Sequence, residues 1–571
     1  MVSSPNLFMP GFRRWSRTAV ALGTAVVFTI LPAADSVAVT ESKSDLFAAG
    51  RSIELLGDVY REVTENYVDK VDVSQLMFSG IDGMLDKLDP FTAFLDESET
   101  EELDELTTGK YAGIGITIGL ISDDLYIMSV IDGNAASRAG LRVGDRIVSV
   151  NGVKARKRAL DEVRSQIKGL AGSAVRLGIE RSGVREVREY TLTRSEVRVS
   201  TISYTGLFGS IGYVGMDSFG ERTSEELRAS LQSLQQQASL RNSSLSGIVL
   251  DLRGNPGGLL STAVDVAGAF LEKGSTVVST RGRSGNESQI FVTKSTPLVP
   301  KLPLAVLIDG DSASASEIVA GAIQELDRGV ILGGGSFGKG LVQSVIPLPY
   351  DHVLKLTTSK YYTPSGRLIQ KPIRRAEGTR KVLIGASTVD STKVFFTLHR
   401  RKVYGGGGIR PDIVVRATEQ SGYEHALEQK GMFFRFANRY HASHPRQVEN
   451  DLNGAQLFGD FRRFVAGERF SYRSRPQQML DSLKTVMRKE YGKDSDGLTS
   501  GLENLDRALA TKASGAISAD SAHIASAVRL EVMRHYDEKA ARRSAIEIDP
   551  VAQKAFALLA DPKSYQALLR P

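Results

Sequence analysis

Apolar residues between about 45 and 105 recur at three- and four-residue intervals. Leu55, Leu56, Val59, Val63 and Tyr67 come first, then Leu76, Met77, Ile81, Met84, Leu85 and Leu88. That is the period of amphipathic helices. Asp89-Pro90 interrupts the pattern, and the acidic run at 97–105 predicts a solvated helix face. From 108 to 195 the pattern shortens to alternation between glycine turns. Residues 114–118, 126–130 and 146–150 read as strands, the last ending in the turn Asn151-Gly152, and 161–167 as a short helix. From about 200 to 415 strands and helices alternate. Residues 213–216 form a strand, and Thr223 with Glu226 reads as a capping box for a helix to about 238. Strand 248–252 runs into a glycine-rich loop and a helix. Strand 304–309 leads through 311–316 into a helix ending near 325, and strands follow at 330–332 and 341–346. This rhythm predicts an α/β layer structure, in which ligands gather at loops leaving the carboxyl ends of strands. Past the four glycines at 405–408 the chain is polar and mostly helical, with helical spacing at 480–491 and 521–536.

One stretch is apolar without a period. Residues 18–34 follow Arg13, Arg14 and Arg17 and precede Ser36-Val37-Ala38. A charged start, an apolar middle and a small-residue exit make 1–40 a signal peptide or a retained membrane anchor, although a span needs about 20 residues. Both readings predict an exported protein.

The 571 residues allow several domains, and 41% hydrophobic with 24% charged residues fits a folded chain. A net charge of +6, from 72 basic and 66 acidic residues, gives no argument for nucleic-acid binding. The chain has no cysteine, which excludes disulfides, thiolate catalysis and cysteine-held metals. No His-Glu-x-x-His occurs, so no metal or other cofactor is expected. A Ser-His-Asp triad is poorly supplied. Of seven histidines only His352 and His399 fall in the α/β block, and neither sits in a glycine loop.

Three segments there could carry chemistry. In Ser-Ala-Ser-Ala-Ser-Glu-Ile at 312–318, small residues sit where a strand turns into a helix. A hydroxyl there lies beside free helix N–H groups that favour an oxyanion, although such serines also serve simply as helix caps. Gly335-Ser336-Phe337-Gly338-Lys339-Gly340 joins two strands. If the second begins near Lys339, alternation puts Lys339, Leu341, Gln343 and Val345 on one face. A buried lysine loses its charge and can act as a base; the alternative is a surface lysine in a glycine turn. The stretch matches a phosphate-binding loop in part, but Gly340 stands where a hydroxyl must hold magnesium. It also contains Ser-x-x-Lys, yet its glycines oppose the helix that motif needs. In Leu-Arg-Gly-Asn-Pro-Gly-Gly at 252–258 the adjacent glycines allow backbone N–H groups to approach a ligand, or make a tight structural turn.

Taken in order, these segments, with Lys-Tyr-Tyr-Thr-Pro-Ser-Gly at 360–366, resemble the carboxy-terminal processing peptidases over roughly 45–415. The resemblance implies an exported serine endopeptidase of α/β multidomain build. Its parts are a peptidase core like that of the Clp peptidase and crotonase folds at 196–415, a PDZ domain at 108–195, a helical N-terminal region at 41–107 and a mostly helical C-terminal extension at 416–571. It implies Ser314 as nucleophile, Lys339 as general base and Gln343 as its support. The oxyanion donors fall on Ala315 and on Gly257 or Gly258. Tyr-Ala-Gly-Ile-Gly-Ile at 111–116 resembles the PDZ carboxylate-binding loop, implying that Gly113, Ile114, Gly115 and Ile116 hold a peptide's C-terminus. The stretches at 139–147 and 150–152 are similar to the same domain, with Ala135 where a proline is usual. The implied location is the bacterial cell envelope, periplasmic or anchored to the inner membrane. The implied partners are proteins or peptides with accessible C-termini, with a homo-oligomer or an activating partner left open.

Overall fold

The computed structural model describes residues 27–29, 43–283, 288–375, 382–384, 393–416, 420–445, 452–491 and 496–570. These form two compact units. One holds residues 110–198 and 420–553; the other holds 27–29, 43–109, 199–416 and 554–570.

The second unit carries the α/β layers. Its central sheet runs in the order Ile202–Phe208, Ile211–Met216, Gly247–Asp251, Leu304–Ile308, Val330–Gly333, Ile413–Val414. The first pair is antiparallel and the rest are parallel. Every residue of the four middle strands is buried, as expected of a parallel sheet covered on both faces. The helices Thr223–Leu240, Leu260–Ala267 and Ala315–Glu325 share its apolar core. The expected capping box at Thr223 does not form. The cap position is Arg222, and Thr223 Oγ1 donates instead to Thr201 Oγ1 at 2.8 Å. The Glu226 carboxylate accepts from the Thr201 N–H at 2.9 Å. The buried Thr223 is satisfied by a side chain just ahead of the strand Ile202–Phe208, not by its own helix.

A second sheet has the order Gly258–Leu259, Val27–Thr29, Leu341–Pro347, Val353–Tyr362, Thr276–Gly282, Gln289–Val292. Val27–Thr29 is the only described part of the apolar stretch 18–34, and it runs parallel to both of its neighbours. Among the described residues no helix is long and apolar enough to cross a membrane. The N-terminal region contains the helices Lys43–Asn66, Val73–Leu85 and Glu97–Thr108. Between the last two lies a strand that the sequence pattern missed, Ala93–Leu95, which pairs with Val353–Tyr362. Its three residues are too few for alternation to register. At the other end of the chain, Phe556 stacks on Phe208 at 4.9 Å between centroids, and the Tyr565 hydroxyl accepts from the Leu304 N–H at 2.9 Å. The final residues thus complete the α/β unit.

In the other unit, the strands Ile116–Ile121, Asp124–Val130, Arg146–Val150, Ala174–Glu180 and Arg188–Thr193 pair in that order, all antiparallel. The helix Leu160–Ile167 buries Val163 and Ile167 against Leu125, Ile127, Val150 and Leu177. Asn151 and Gly152 both take positive φ, 51° and 84°, which suits the two-residue turn that joins Arg146–Val150 to Val153–Lys154. Lys110–Gly113 and Ser195–Arg198 pair as a separate two-stranded sheet, and the unit's residues from 420 on are mostly helical, from Gly422–Gln429 to Glu538–Ile548. The helices have their own aromatic core, in which Phe433 stacks on Phe461 and Phe436 meets it edge-on.

Candidate active site

Ser314 stands at the cap position of the helix Ala315–Glu325, directly after the strand Leu304–Ile308 and its loop. Its backbone is left-handed (φ 56°, ψ −112°), a conformation that costs a non-glycine residue roughly 1–3 kcal/mol. The neighbours hold it there. Its N–H donates to Glu317 Oε2 at 2.9 Å and its carbonyl accepts from the Tyr361 hydroxyl at 3.2 Å. The preceding Ala313 N–H donates to the Asn255 carbonyl at 3.0 Å. The Ser314 hydroxyl itself is buried and has no hydrogen-bond partner among the described residues.

Lys339 lies in the glycine loop two residues ahead of the strand Leu341–Pro347 and is fully buried. Its N–H donates to the same Glu317 oxygen at 2.9 Å, and its carbonyl accepts from the same Tyr361 hydroxyl. Glu317 and Tyr361 therefore tie the backbones of Ser314 and Lys339 together at two points. The other oxygen of Glu317 accepts from Ser336 Oγ at 2.5 Å and from the Gly338 N–H at 2.7 Å. The loop's N–H groups thus go to a carboxylate instead of a neighbouring strand, and the strand begins at Leu341, where the sequence pattern places it. Along this strand residues 341–344 are all buried, and the register shift between Val342 and Gln343 leaves the extra residue, Thr358, on the partner strand Val353–Tyr362.

The Lys339 amine also lacks a hydrogen-bond partner among the described residues. Burial holds its pKa well below the usual lysine value, helped by the charge of Lys355 and opposed by Asp89 and Glu317. The face of the Phe91 ring lies 4.6 Å from Nζ. Gln343 donates through Nε2 to Thr357 Oγ1 at 3.0 Å, while its Oε1 is buried and unpartnered. A hydroxyl and an amine on two segments clamped to one carboxylate, and an amide oxygen on the strand that follows, are each left unsatisfied among the described residues. Native structures leave few buried polar groups unpaired, so each asks for a reason.

The loop after strand Gly247–Asp251 is laced to the serine loop. Asp309 Oδ1 accepts from the N–H of Gly254 at 2.9 Å and of Ser312 at 3.0 Å, and Ser312 Oγ donates to the Leu252 carbonyl at 2.8 Å. Gly257 (φ 101°) packs so closely that a Cβ there would lie 2.8 Å from that of Ser314 and 2.9 Å from the Ala315 nitrogen. Its own N–H is taken by Asn255 Oδ1 at 2.8 Å. Gly258 follows it, and the Ala315 N–H, at the first helical position, makes no backbone bond among the described residues.

The loop at 113–116 belongs to the other unit. Its carbonyls at Ile114 and Gly115 accept from the N–H groups of Ala136 and Ile131, while the N–H groups of the same two residues make no backbone bond among the described residues. It leads into Ile116–Ile121, the edge strand of its sheet. An edge strand with an N–H-rich loop at its start is suited to receiving a chain end by strand addition.

Several comparisons bear on this arrangement. The profile of peptidase family S41 matches residues 210–376, and that of the PDZ domain matches 105–180. The activating protease CtpB N-terminal domain matches 21–100, and the C-terminal helical domain of probable PDZ-proteases matches 423–559. A carboxy-terminal-processing protease of Bartonella bacilliformis is 39% identical over 320 residues, which cover 56% of this chain and 73% of that one. The chain belongs to the carboxy-terminal processing proteases. The protease is also 31% identical to CtpB of Bacillus subtilis over 325 residues, 56% of this chain and 66% of that one. A probable CtpA-like serine protease of Staphylococcus aureus is 30% identical over 361 residues, 62% and 71% of the two chains. Among solved structures, the photosystem II D1 C-terminal processing protease is similar at 26% identity and a TM-score of 0.34, over 64% of this chain and 92% of that one. The protease is a serine endopeptidase with a family S41 core, a PDZ domain between its N-terminal region and that core, and helical regions at both ends.

Sequence reasoning named Ser314, Lys339 and Gln343 but gave no part to Glu317, Tyr361, Asn255, Asp309 or Phe91. Glu317 and Tyr361 stand inside the motifs quoted above and were passed over because an acidic residue in a first helical turn and a tyrosine in a strand have ordinary structural uses.

Proposed function

We propose that the protease is exported to the bacterial cell envelope, captures exposed C-termini on the loop at Gly113, Ile114, Gly115 and Ile116, and cleaves through a Ser-Lys acyl-enzyme. Ser314 gives its proton to the uncharged amine of Lys339 as Oγ attacks the peptide carbonyl. Gln343 Oε1 is free to accept from that amine and orient it. The Ala315 N–H and one glycine N–H stabilise the oxyanion, each such donor being worth about 3 kcal/mol. The glycine donor is Gly257, whose N–H is bonded to Asn255 Oδ1, or Gly258, which pairs with Val27. The observation that carries the reading is the trio of buried, unpartnered groups on Ser314, Lys339 and Gln343. In an uncomplexed state the dyad need not yet be hydrogen-bonded. The charged start and apolar stretch of 1–40 support export, as signal or anchor. No metal or other cofactor has a part in the scheme.

The test pairs two substrates and two variants. An unstructured peptide with a free C-terminus is cleaved faster than its C-terminally amidated twin, and Ser314→Ala and Lys339→Arg lose turnover with either. Arginine keeps its charge and cannot serve as base. Near-normal turnover by Lys339→Arg would refute the base. Equal rates on the two peptides would refute carboxylate capture.

A further inference from the structure

We propose that Phe91, a residue of the N-terminal region, is a positioning residue for catalysis: its ring forms one wall of the pocket in which the Lys339 amine must stay uncharged. This rests on Lys339 acting as the base. The ring is buried at 3% exposure with its face 4.6 Å from Nζ. Its placement is built, not incidental. Asp89 Oδ1 accepts from the N–H groups of Phe91 at 2.8 Å and Thr92 at 3.0 Å, and Thr92 Oγ1 donates to Asp89 Oδ2 at 3.0 Å. The following strand Ala93–Leu95 pairs with Val353–Tyr362, where Thr92 Oγ1 accepts from the Thr357 N–H at 3.2 Å. Thr357 is also the residue that holds Gln343. One short segment therefore contacts the base directly and its supporting glutamine through a single intermediary.

A ring in this place does two opposite things. It excludes water, which disfavours the ammonium, and it offers a π face, which attracts a cation. The other groups acting on the amine are Lys355 from the paired strand, which repels a proton, and Asp89 and Glu317, which favour one; Tyr361 binds the Lys339 backbone. Leucine in place of phenylalanine keeps the wall and removes the π face. Alanine removes both and admits water. The two substitutions therefore push the amine in opposite directions, which a purely structural part for Phe91 does not predict.

The experiment measures kcat and KM against pH for the full-length protease, Phe91→Leu and Phe91→Ala, with circular dichroism to confirm folding. In Phe91→Leu the acid limb of kcat/KM moves to lower pH by up to about one unit, the scale of one cation–π contact. In Phe91→Ala it moves to higher pH, and kcat at neutral pH falls about tenfold with KM little changed. Limbs that coincide with wild type, or that move the same way in both variants, overturn the inference; if the alanine variant does not fold, the leucine variant decides alone. Turnover retained by Lys339→Ala would instead overturn the base itself. An inactive Lys339→Ala beside unmoved Phe91 limbs removes only the part given to Phe91.

Discussion

The replacement of Glu317 by glutamine tests the central contact of the site. The carboxylate accepts four hydrogen bonds, two at each oxygen, from the N–H groups of Ser314, Gly338 and Lys339 and from Ser336 Oγ. Glutamine is nearly the same shape but has one acceptor oxygen and one NH2. With its NH2 toward Ser314 and Lys339 two N–H donors face a donor; turned toward Ser336 and Gly338 only the Gly338 N–H does, because the serine hydroxyl can accept. In that better orientation one buried donor is left unsatisfied, at about 1–3 kcal/mol. Part is offset because burial also disfavours the charge on Glu317, raising its pKa. The expected net loss is about 1–2 kcal/mol, confined to the loops it joins. Because a chain of two units need not unfold in one step, the assay is hydrogen exchange of peptides spanning 312–340. At about 1.4 kcal/mol per tenfold, their protection should fall roughly 5- to 30-fold, with strands Gly247–Asp251 and Ile211–Met216 unchanged. Turnover should fall about 100-fold or more, as the released Ser314 relaxes from its left-handed backbone and leaves its alignment. Protection and turnover both within threefold of wild type would refute the view that one carboxylate holds nucleophile and base in place.

Two further outcomes follow from the same geometry. Lys339→Met should be inactive yet more heat-stable than wild type near neutral pH. Burial lowers the folded pKa of Lys339, so from that lowered value up to 10.5 the unfolded chain binds a proton that the folded one does not, and wild-type stability rises with pH across that window. Thermal unfolding at several pH values should show the methionine variant's advantage shrinking toward pH 10, and no advantage at any pH would contradict a buried uncharged amine. Gly257→Ala should fold but lose about 100-fold in kcat, because its Cβ would crowd the Cβ of Ser314 and the Ala315 nitrogen. Near-normal kcat with intact circular dichroism would show that the turn yields without disturbing the serine.

The order of elements was legible in the sequence because each buries one face or both with its own period. The strands at 248–252, 304–309 and 330–332 read as short, mostly apolar runs bounded by glycine or helix signals, and they appear as Gly247–Asp251, Leu304–Ile308 and Val330–Gly333. The motif residues stood out for the same local reason, since small residues and glycines mark where backbone must come close. Two things were not legible. The strand Ala93–Leu95 is specified by its partner Val353–Tyr362, far along the chain. The cap at Thr223 was lost to Thr201, just ahead of the neighbouring strand Ile202–Phe208.

By itself, then, the sequence determined the α/β rhythm, the exclusion of cysteine and metal chemistry, and the residue types available for a serine and lysine chemistry. Only the tertiary structure decided that Ser314 and Lys339 share one oxygen of Glu317, that polar groups of Ser314, Lys339 and Gln343 are buried without partners among the described residues, and that an N-terminal phenylalanine faces the amine. Periodicity records what each residue does within its own turn or strand. Whether a lysine is charged depends on which distant side chains exclude water from it, and that is fixed when the elements meet.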